Sequence, residues 1–368
     1  MFKKWAQAAT ARNAGRAPNR SDTGAYKFCY TATNSSDGEA RLLDGNADFA
    51  VMTRPLTTAS MTRMPNAWML PSLAGAVAIV FNVPGIDSGK LRITREQLAD
   101  VFLGKITRWS SLANATMNPS LLNVTESITL IVRRDSSGAT EVLTSALSSF
   151  SDEWRTSIGT SSLPKWPGAP MRPESDGGAA IAVAIRIAKY SLSYAAQGDA
   201  KAFRLKVAAL SNRAGEFVTP NPISVQSATA LAFSSLGVSS GDLGTIFTRS
   251  LVDPKGDSED SHRAYPIATL VYIAFDADTL IKQTDCSQVL TSRLFDVLFF
   301  VVWALNDQLA DSIAGDADFI PAASFPEMRE VLQDRLHAIL CPSTKACVSC
   351  IVEYKLMPKI AGSGSGVP

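Results

Sequence analysis

Apolar and polar positions alternate in short blocks along this chain, and the blocks predict strands and helices by turns. Residues 73–83 are small or β-branched and run into Pro84-Gly85, the pattern of a buried strand ending in a turn. Residues 128–132 and 267–275 predict two more strands, and 26–30, 47–52 and 190–194 shorter ones. Leu98, Val101 and Phe102 have helical spacing; Thr94 and Gln97 stand in front of them as a capping box, and Gly104 stops the run. Residues 139–150 carry Val142, Leu143, Leu147 and Phe150 as one apolar stripe, and residues 178–187, 290–305 and 326–340 predict further helices. Weaker helical patterns lie at 228–233 and 243–247, polar turns at 31–38 and 53–56, and loops at 154–170 and 253–262. Strands and helices alternate without an internal repeat, so an α/β protein with mostly parallel sheets is expected.

Composition narrows the class. The chain has 368 residues, 46% hydrophobic and 19% charged, enough for one large or two medium globular domains. A net charge of +1 with no Lys/Arg block offers nothing to nucleic acid or a membrane surface. The longest apolar run, 297–305, is too short to span a bilayer. The cysteines are Cys29, Cys286, Cys341, Cys347 and Cys350, and the chain has only His262 and His337 as histidines, a poor donor set for zinc. No metal or cofactor is expected, and a disulfide-bearing extracellular tail fits the last three cysteines better. Asn-x-Ser/Thr sequons at Asn19, Asn34, Asn114 and Asn123 agree with secretion. No signal peptide is visible. Lys3, Lys4, Arg12, Arg16 and Arg20, with no acid among residues 1–20, faintly resemble a transit peptide; a truncated chain that starts inside its first helix is the alternative.

The candidate chemistry lies where the strand at 128–132 meets the helix at 139–150. Between them stands Arg133-Arg134-Asp135-Ser136-Ser137-Gly138. A strand, a polar turn and a helix start bring free backbone N–H groups, hydroxyls and a guanidinium to one point, which is a recipe for an anion site. Neighbouring strand residues point oppositely, so Arg134 is expected to face solvent while Arg133 faces the site. Read on its own, Ser-Ser-Gly is equally an ordinary N-cap, and the Arg133–Asp135 spacing an ordinary surface ion pair.

This loop resembles the Arg-x-Asp-Gly-Ser-Gly-Thr loop of the periplasmic phosphate-binding proteins of bacterial ABC phosphate importers. Other segments are similar to that family in the same order. They are Asn34-Ser35-Ser36-Asp37-Gly38, Asp48-Phe49-Ala50-Val51-Met52-Thr53-Arg54-Pro55-Leu56, Leu103-Gly104-Lys105-Ile106-Thr107-Arg108-Trp109, Glu153-Trp154, Lys165-Trp166-Pro167, Asp176-Gly177 and Ala264-Tyr265-Pro266-Ile267. The resemblance covers roughly residues 5–340. It implies a two-lobed, type II-like periplasmic-binding-protein fold whose lobes are joined by crossover strands near 74–81 and 264–275. Lobe I would comprise 1–75 with 265–340 and lobe II 76–264, followed by a Cys-containing tail and Gly/Ser linker at 341–368. It also implies that the chain starts inside the family's first helix, so truncation is preferred to the transit-peptide reading.

The resemblance further implies an extracytoplasmic, monomeric binder of inorganic phosphate or a related oxyanion, serving a membrane transporter or receptor, with no enzymatic activity. Its ligand residues would be Ser35, Ser36, Thr53, Arg133, Ser137, Gly138 and Ala139, with Asp135 orienting Arg133. Three departures change the expectation. Thr53 stands where the family has a carboxylate, Ala139 where it has a threonine, and the family's first phosphate loop has no counterpart in the chain. A hydroxyl donates as well as accepts, so relaxed selectivity for phosphate over sulfate is expected. These departures also favour an alternative, a receptor or adhesion ectodomain that kept the fold and weakened the ligand.

Overall fold

The structure is a computed structural model that describes residues 1–14, 28–234 except 114, 169, 174 and 175, 251–276 with 278 and 280, and 293–326 with 328, 329 and 332. The patterns predicted at 243–247 and, for the most part, at 326–340 lie outside the described residues, as do the tail, Cys286, Cys341, Cys347, Cys350 and the sequons at Asn19 and Asn114.

The strands in chain order are β1 (Ala50–Met52), β2 (Ala67–Asn82), β3 (Arg92–Ile93), β4 (Thr129–Leu130), β5 (Ser191–Ala196), β6 (Lys206–Val207), β7 (Ala209–Ser211), β8 (Phe217–Val218), β9 (Ala268–Asp276) and β10 (Ile320–Pro321). The helices are α1 (Phe2–Ala14), α2 (Ser35–Leu43), α3 (Thr58–Arg63), α4 (Arg95–Phe102), α5 (Gly138–Phe150), α6 (Asp152–Ser157), α7 (Gly178–Ile187), α8 (Gln197–Ala202) and α9 (Pro222–Ser234), with further helices at Glu259–Arg263, Arg293–Asn306 and Gln308–Gly315.

Strand β2 organises the molecule. Its first part, Ala67–Ala76, pairs with β9, and its second part, Val77–Asn82, pairs with β5. On its other side Leu73 and Ala74 meet β10, and Val80 and Phe81 meet β6. One strand therefore belongs to the sheets of both lobes, and with β9 it forms the crossover expected from the sequence. It starts at Ala67, earlier than residue 73: Pro71-Ser72 interrupts the sequence pattern there, and Ala67–Met69 are only half buried. Pro71 has no N–H to donate, the register shifts there, and the buried Ser72 hydroxyl donates to the Val271 carbonyl at 3.1 Å instead.

The expectation of mostly parallel sheets is corrected. Among the described residues only β3–β7 and β4–β5 pair in parallel, while β1–β9, β2–β9, β2–β5, β2–β6, β2–β10 and β7–β8 are antiparallel. Alternation of strands and helices does not fix direction when one strand crosses from lobe to lobe and meets strands of each in the reverse sense.

Other local expectations differ in extent. The capping box forms as predicted: Thr94 Oγ1 accepts from Gln97 N at 3.1 Å and Gln97 Oε1 from Thr94 N at 3.0 Å. The turn at 31–38 is shorter than expected, since α2 already begins at Ser35 with Asn34 as its N-cap. The segment 154–170 starts in helix α6, and α9 starts at Pro222, before residue 228. The core is one large cluster with two smaller ones beside it, one around Ile181 and Ile185 and one around Met52 and Leu56. Three of its tryptophans keep their indole N–H groups satisfied: Trp5 donates to Ala310 O at 3.0 Å, Trp109 to Tyr190 O at 2.9 Å and Trp154 to Gly159 O at 3.1 Å, while the buried Nε1 atoms of Trp166 and Trp303 have no partner among the described residues. Among the described residues no single helix is long and apolar enough to cross a membrane.

Candidate functional site

Strand β4 continues through a bridge at Ile131 into Arg133, and the chain turns at 135–137 into α5. Ser137 is the N-cap but makes no side-chain cap bond, so the first-turn N–H groups of α5 keep no partner from that source. Its own backbone N–H donates to Ser162 O at 3.0 Å, which pins the turn. Gly138 opens the helix so close to the opposite wall that a methyl group on it would overlap both Thr53 Oγ1 and Ser35 Oγ. Only glycine fits there.

The opposite wall is another helix N-terminus. Asn34 caps α2, accepting from Asp37 N at 2.9 Å, and donates through Nδ2 to Asp135 Oδ2 at 3.3 Å. Both ends of its amide are engaged. Ser35 Oγ lies 3.4 Å from both Thr53 Oγ1 and Thr53 N. Ser36 Oγ meets Ser136 Oγ at 2.7 Å, and Ser136 in turn meets Ser162 Oγ at 2.8 Å. Two helix N-termini, each with positive dipole ends and uncommitted N–H groups, face one space.

Arg133 adds a fixed charge. Its Nε donates to Asp135 Oδ1 at 2.9 Å and its Nη2 pairs with Asp135 Oδ2, so Asp135 holds the guanidinium as the sequence suggested. The pair is no loose surface contact, with side-chain exposures of 10% and 6%. Burial works against the Asp135 carboxylate, but Arg133 and the Gly177 N–H outweigh it and hold its pKa below the usual carboxylate value. Arg134 points outward, half exposed, and pairs with Asp176 at 2.9 Å. Under the loop, Tyr194 OH meets Thr140 Oγ1 at 2.6 Å and lies 3.4 Å from Arg133 N. Burial pushes the Tyr194 phenol up to about 12, so it stays protonated and neutral.

The structure therefore brings Ser35, Ser36, Thr53, Arg133, Asp135, Ser137, Gly138 and Ala139 to one cleft. Arg54, next to Thr53, is buried, with 5% exposure. Arg54 Nη2 pairs with Glu39, its Nη1 donates to Pro55 O at 2.9 Å, and its Nε lies 3.2 Å from Glu141 Oε2 without hydrogen-bond alignment. Sequence reasoning also missed Glu39, Glu141 and Tyr194. Their partners are remote in sequence, and the only signal was the density of ionisable residues in otherwise polar turns. Among the described residues no cluster could hold a metal ion.

The profile of the PBP superfamily domain matches residues 2–276. The chain belongs to the PBP superfamily. Within that superfamily it is similar to the phosphate-binding protein PstS of Pasteurella multocida, 30% identical over 83% of this chain and 80% of that one. It is also similar to a putative serine/threonine-protein kinase/receptor R826 of Acanthamoeba polyphaga mimivirus, at 25% identity over 74% of this chain but only 16% of that protein. Its fold is similar to the crystal structure of a phosphate binding protein from Stenotrophomonas maltophilia, with a TM-score of 0.62, 20% identity and coverage of 88% of this chain and 92% of that one. The superfamily's two-lobed α/β architecture thus agrees with the crossover made by β2 and β9.

Proposed function

We propose that this PBP-superfamily chain is an extracytoplasmic solute-binding protein that holds inorganic phosphate, or a similar tetrahedral oxyanion, between its lobes. It binds and releases and does not catalyse. Lobe I is 1–75 with 265–340 and lobe II is 76–264. Ser35, Ser36 and Thr53 supply hydroxyls from one wall; Arg133 and the N–H groups at Ser137, Gly138 and Ala139 act from the other, with Asp135 positioning Arg133. The observation that carries this reading is the approach of Gly138 to Ser35 and Thr53, which sets an α5 N-terminus against an α2 N-terminus beside a held guanidinium. Closure brings these walls together by bending at the crossover of β2 and β9. The protein acts as a monomer and hands its ligand, or its ligand-bound shape, to a membrane transporter or receptor.

Titration calorimetry of the folded chain with inorganic phosphate tests the reading. Binding that is lost in Arg133→Ala is the expected result. Hydrogen bonds to a charged ligand are worth roughly 1.5–3 kcal/mol each, so removing the guanidinium lowers affinity by at least about tenfold. No binding of any tetrahedral oxyanion would sink it.

A second reading, a receptor ectodomain, is favoured by the similarity to one portion of a much longer kinase/receptor. A measured affinity far weaker than the millimolar range, with the fold intact, would shift the balance to it.

A further inference from the structure

We propose that Ser136 is a positioning residue for the bound anion: its hydroxyl joins the two walls of the cleft and turns the Ser36 hydroxyl into a donor aimed at the ligand. The proposal rests on the cleft being an oxyanion site. Ser136 stands where the family loop that this segment resembles has glycine, so its hydroxyl is no part of that loop's pattern.

The turn between β4 and α5 reaches the α2 N-terminus at two consecutive residues. Asp135 Oδ2 accepts from Asn34 Nδ2 at 3.3 Å, and Ser136 Oγ lies 2.7 Å from Ser36 Oγ. Each end of the serine pair is held in turn. Ser36 Oγ accepts from Arg54 Nη2 at 3.3 Å, and Arg54 is itself buried and paired with Glu39. Ser136 Oγ lies 2.8 Å from Ser162 Oγ, and the Ser162 carbonyl takes the Ser137 N–H. An unbroken row of polar groups, Arg54, Ser36, Ser136 and Ser162, thus crosses from one wall to the other, and all three serines are half buried.

A hydroxyl has one proton to donate and two lone pairs to fill, and a guanidinium has no acceptor. Arg54 therefore fills one lone pair of Ser36. When Ser36 donates to an anion its proton is spent, so the 2.7 Å bond takes the Ser136 proton and fills the second lone pair. Ser136 in turn accepts from Ser162. With both lone pairs occupied, the Ser36 O–H has only the ligand left to point at, and each bond in the row polarises the next. The Ser36–Ser136 bond also ties the walls together over the ligand, so its loss is felt in release and not in encounter.

The experiment titrates inorganic phosphate into the wild-type chain, Ser136→Ala, Ser136→Thr, Ser36→Ala and the Ser36→Ala/Ser136→Ala double variant. Stopped flow gives association and dissociation rates for the first three, and thermal melts confirm that each variant is folded. Ser136→Ala is expected to weaken phosphate binding by about threefold to tenfold, nearly all of it through faster dissociation, while Ser136→Thr, which keeps the hydroxyl, stays within about twofold of wild type. In the Ser36→Ala background Ser136→Ala should have almost no further effect, because it acts through Ser36. An unchanged affinity and dissociation rate in Ser136→Ala overturn the proposal. So does an equal loss in both backgrounds, which a purely structural role of the turn would produce. Both of those results leave the oxyanion reading standing, whereas a wild type that binds no phosphate removes that reading and the proposal with it.

Discussion

Arg54 Nε and Glu141 Oε2 lie 3.2 Å apart on opposite walls of the cleft, while the same guanidinium is paired with Glu39 on its own side. One nearly buried arginine thus joins α2, the turn after β1 and α5. Removing Arg54 strands Glu39, whose side chain is 6% exposed, and breaking such a pair costs about 3–5 kcal/mol. Arg54→Ala should show that loss in urea unfolding. Glu141→Gln leaves the Glu39 pair intact; it should change stability little and speed ligand release, read by stopped-flow fluorescence. An Arg54→Ala protein as stable as wild type would contradict this account.

Gly138 packs directly against the opposite wall. Gly138→Ala places a methyl group on Thr53 Oγ1 and Ser35 Oγ, so the cleft can no longer close. Phosphate affinity should drop by at least about tenfold while the melting temperature barely moves, because the open form tolerates the methyl. Small-angle scattering should then show no compaction on adding phosphate.

Phe319 sits between two glycines at the crossover. A methyl at Gly75 would lie 2.7 Å from its Cε1, and one at Gly198 2.8 Å from its Cε2. Each alanine substitution should overpack this joint and destabilise the fold by about 1–3 kcal/mol, measured by chemical denaturation. Phe319→Ala, with room restored, should rescue Gly75→Ala in a double-mutant cycle.

Stability should fall on acidification for a specific reason. Burial alone would raise the Glu39 carboxyl, but hydrogen bonds from Ser60, Thr57 and Arg54 outweigh it and lower its pKa; Asp135 is lowered likewise by Arg133. A lowered folded-state pKa contributes stability that is present above the unfolded carboxylate value and lost as pH falls through the folded one. The urea midpoint should therefore decline below about pH 4, and Glu39→Gln should flatten that decline. Glu141 works in the opposite sense: burial raises its pKa against the pull of Arg54, so it favours folding when protonated and opposes it as pH rises.

Tyr194→Phe removes the hydroxyl that meets Thr140 and lies near Arg133 N. A buried partner left without its bond costs about 1–3 kcal/mol, and the Arg133 turn loses its floor. Phosphate affinity and thermal stability should both decrease.

Part of the proposed site was legible in the chain: residues 133–139 form a strand end, a polar turn and a helix start, whose local chemistry suggests an anion site. Ser35, Ser36 and Thr53 came only from the family resemblance, because nothing local distinguishes them from ordinary turn residues. The Asp135 support for Arg133 is only two residues away and was legible for the same reason. Sheet direction was not, since periodicity reports burial and spacing but carries no information about which way a partner strand runs.

The sequence by itself determined the α/β class, the capping box at Thr94, the outward turn of Arg134 and the strand–turn–helix frame around Arg133, because these depend on residues within one helical turn or one strand pleat. Tertiary structure decided that Arg54 is a buried tie between the walls and that β2 pairs with β9 through one half and β5 through the other. Those relationships join residues about 15 to about 210 positions apart, and only the folded packing brings them within reach.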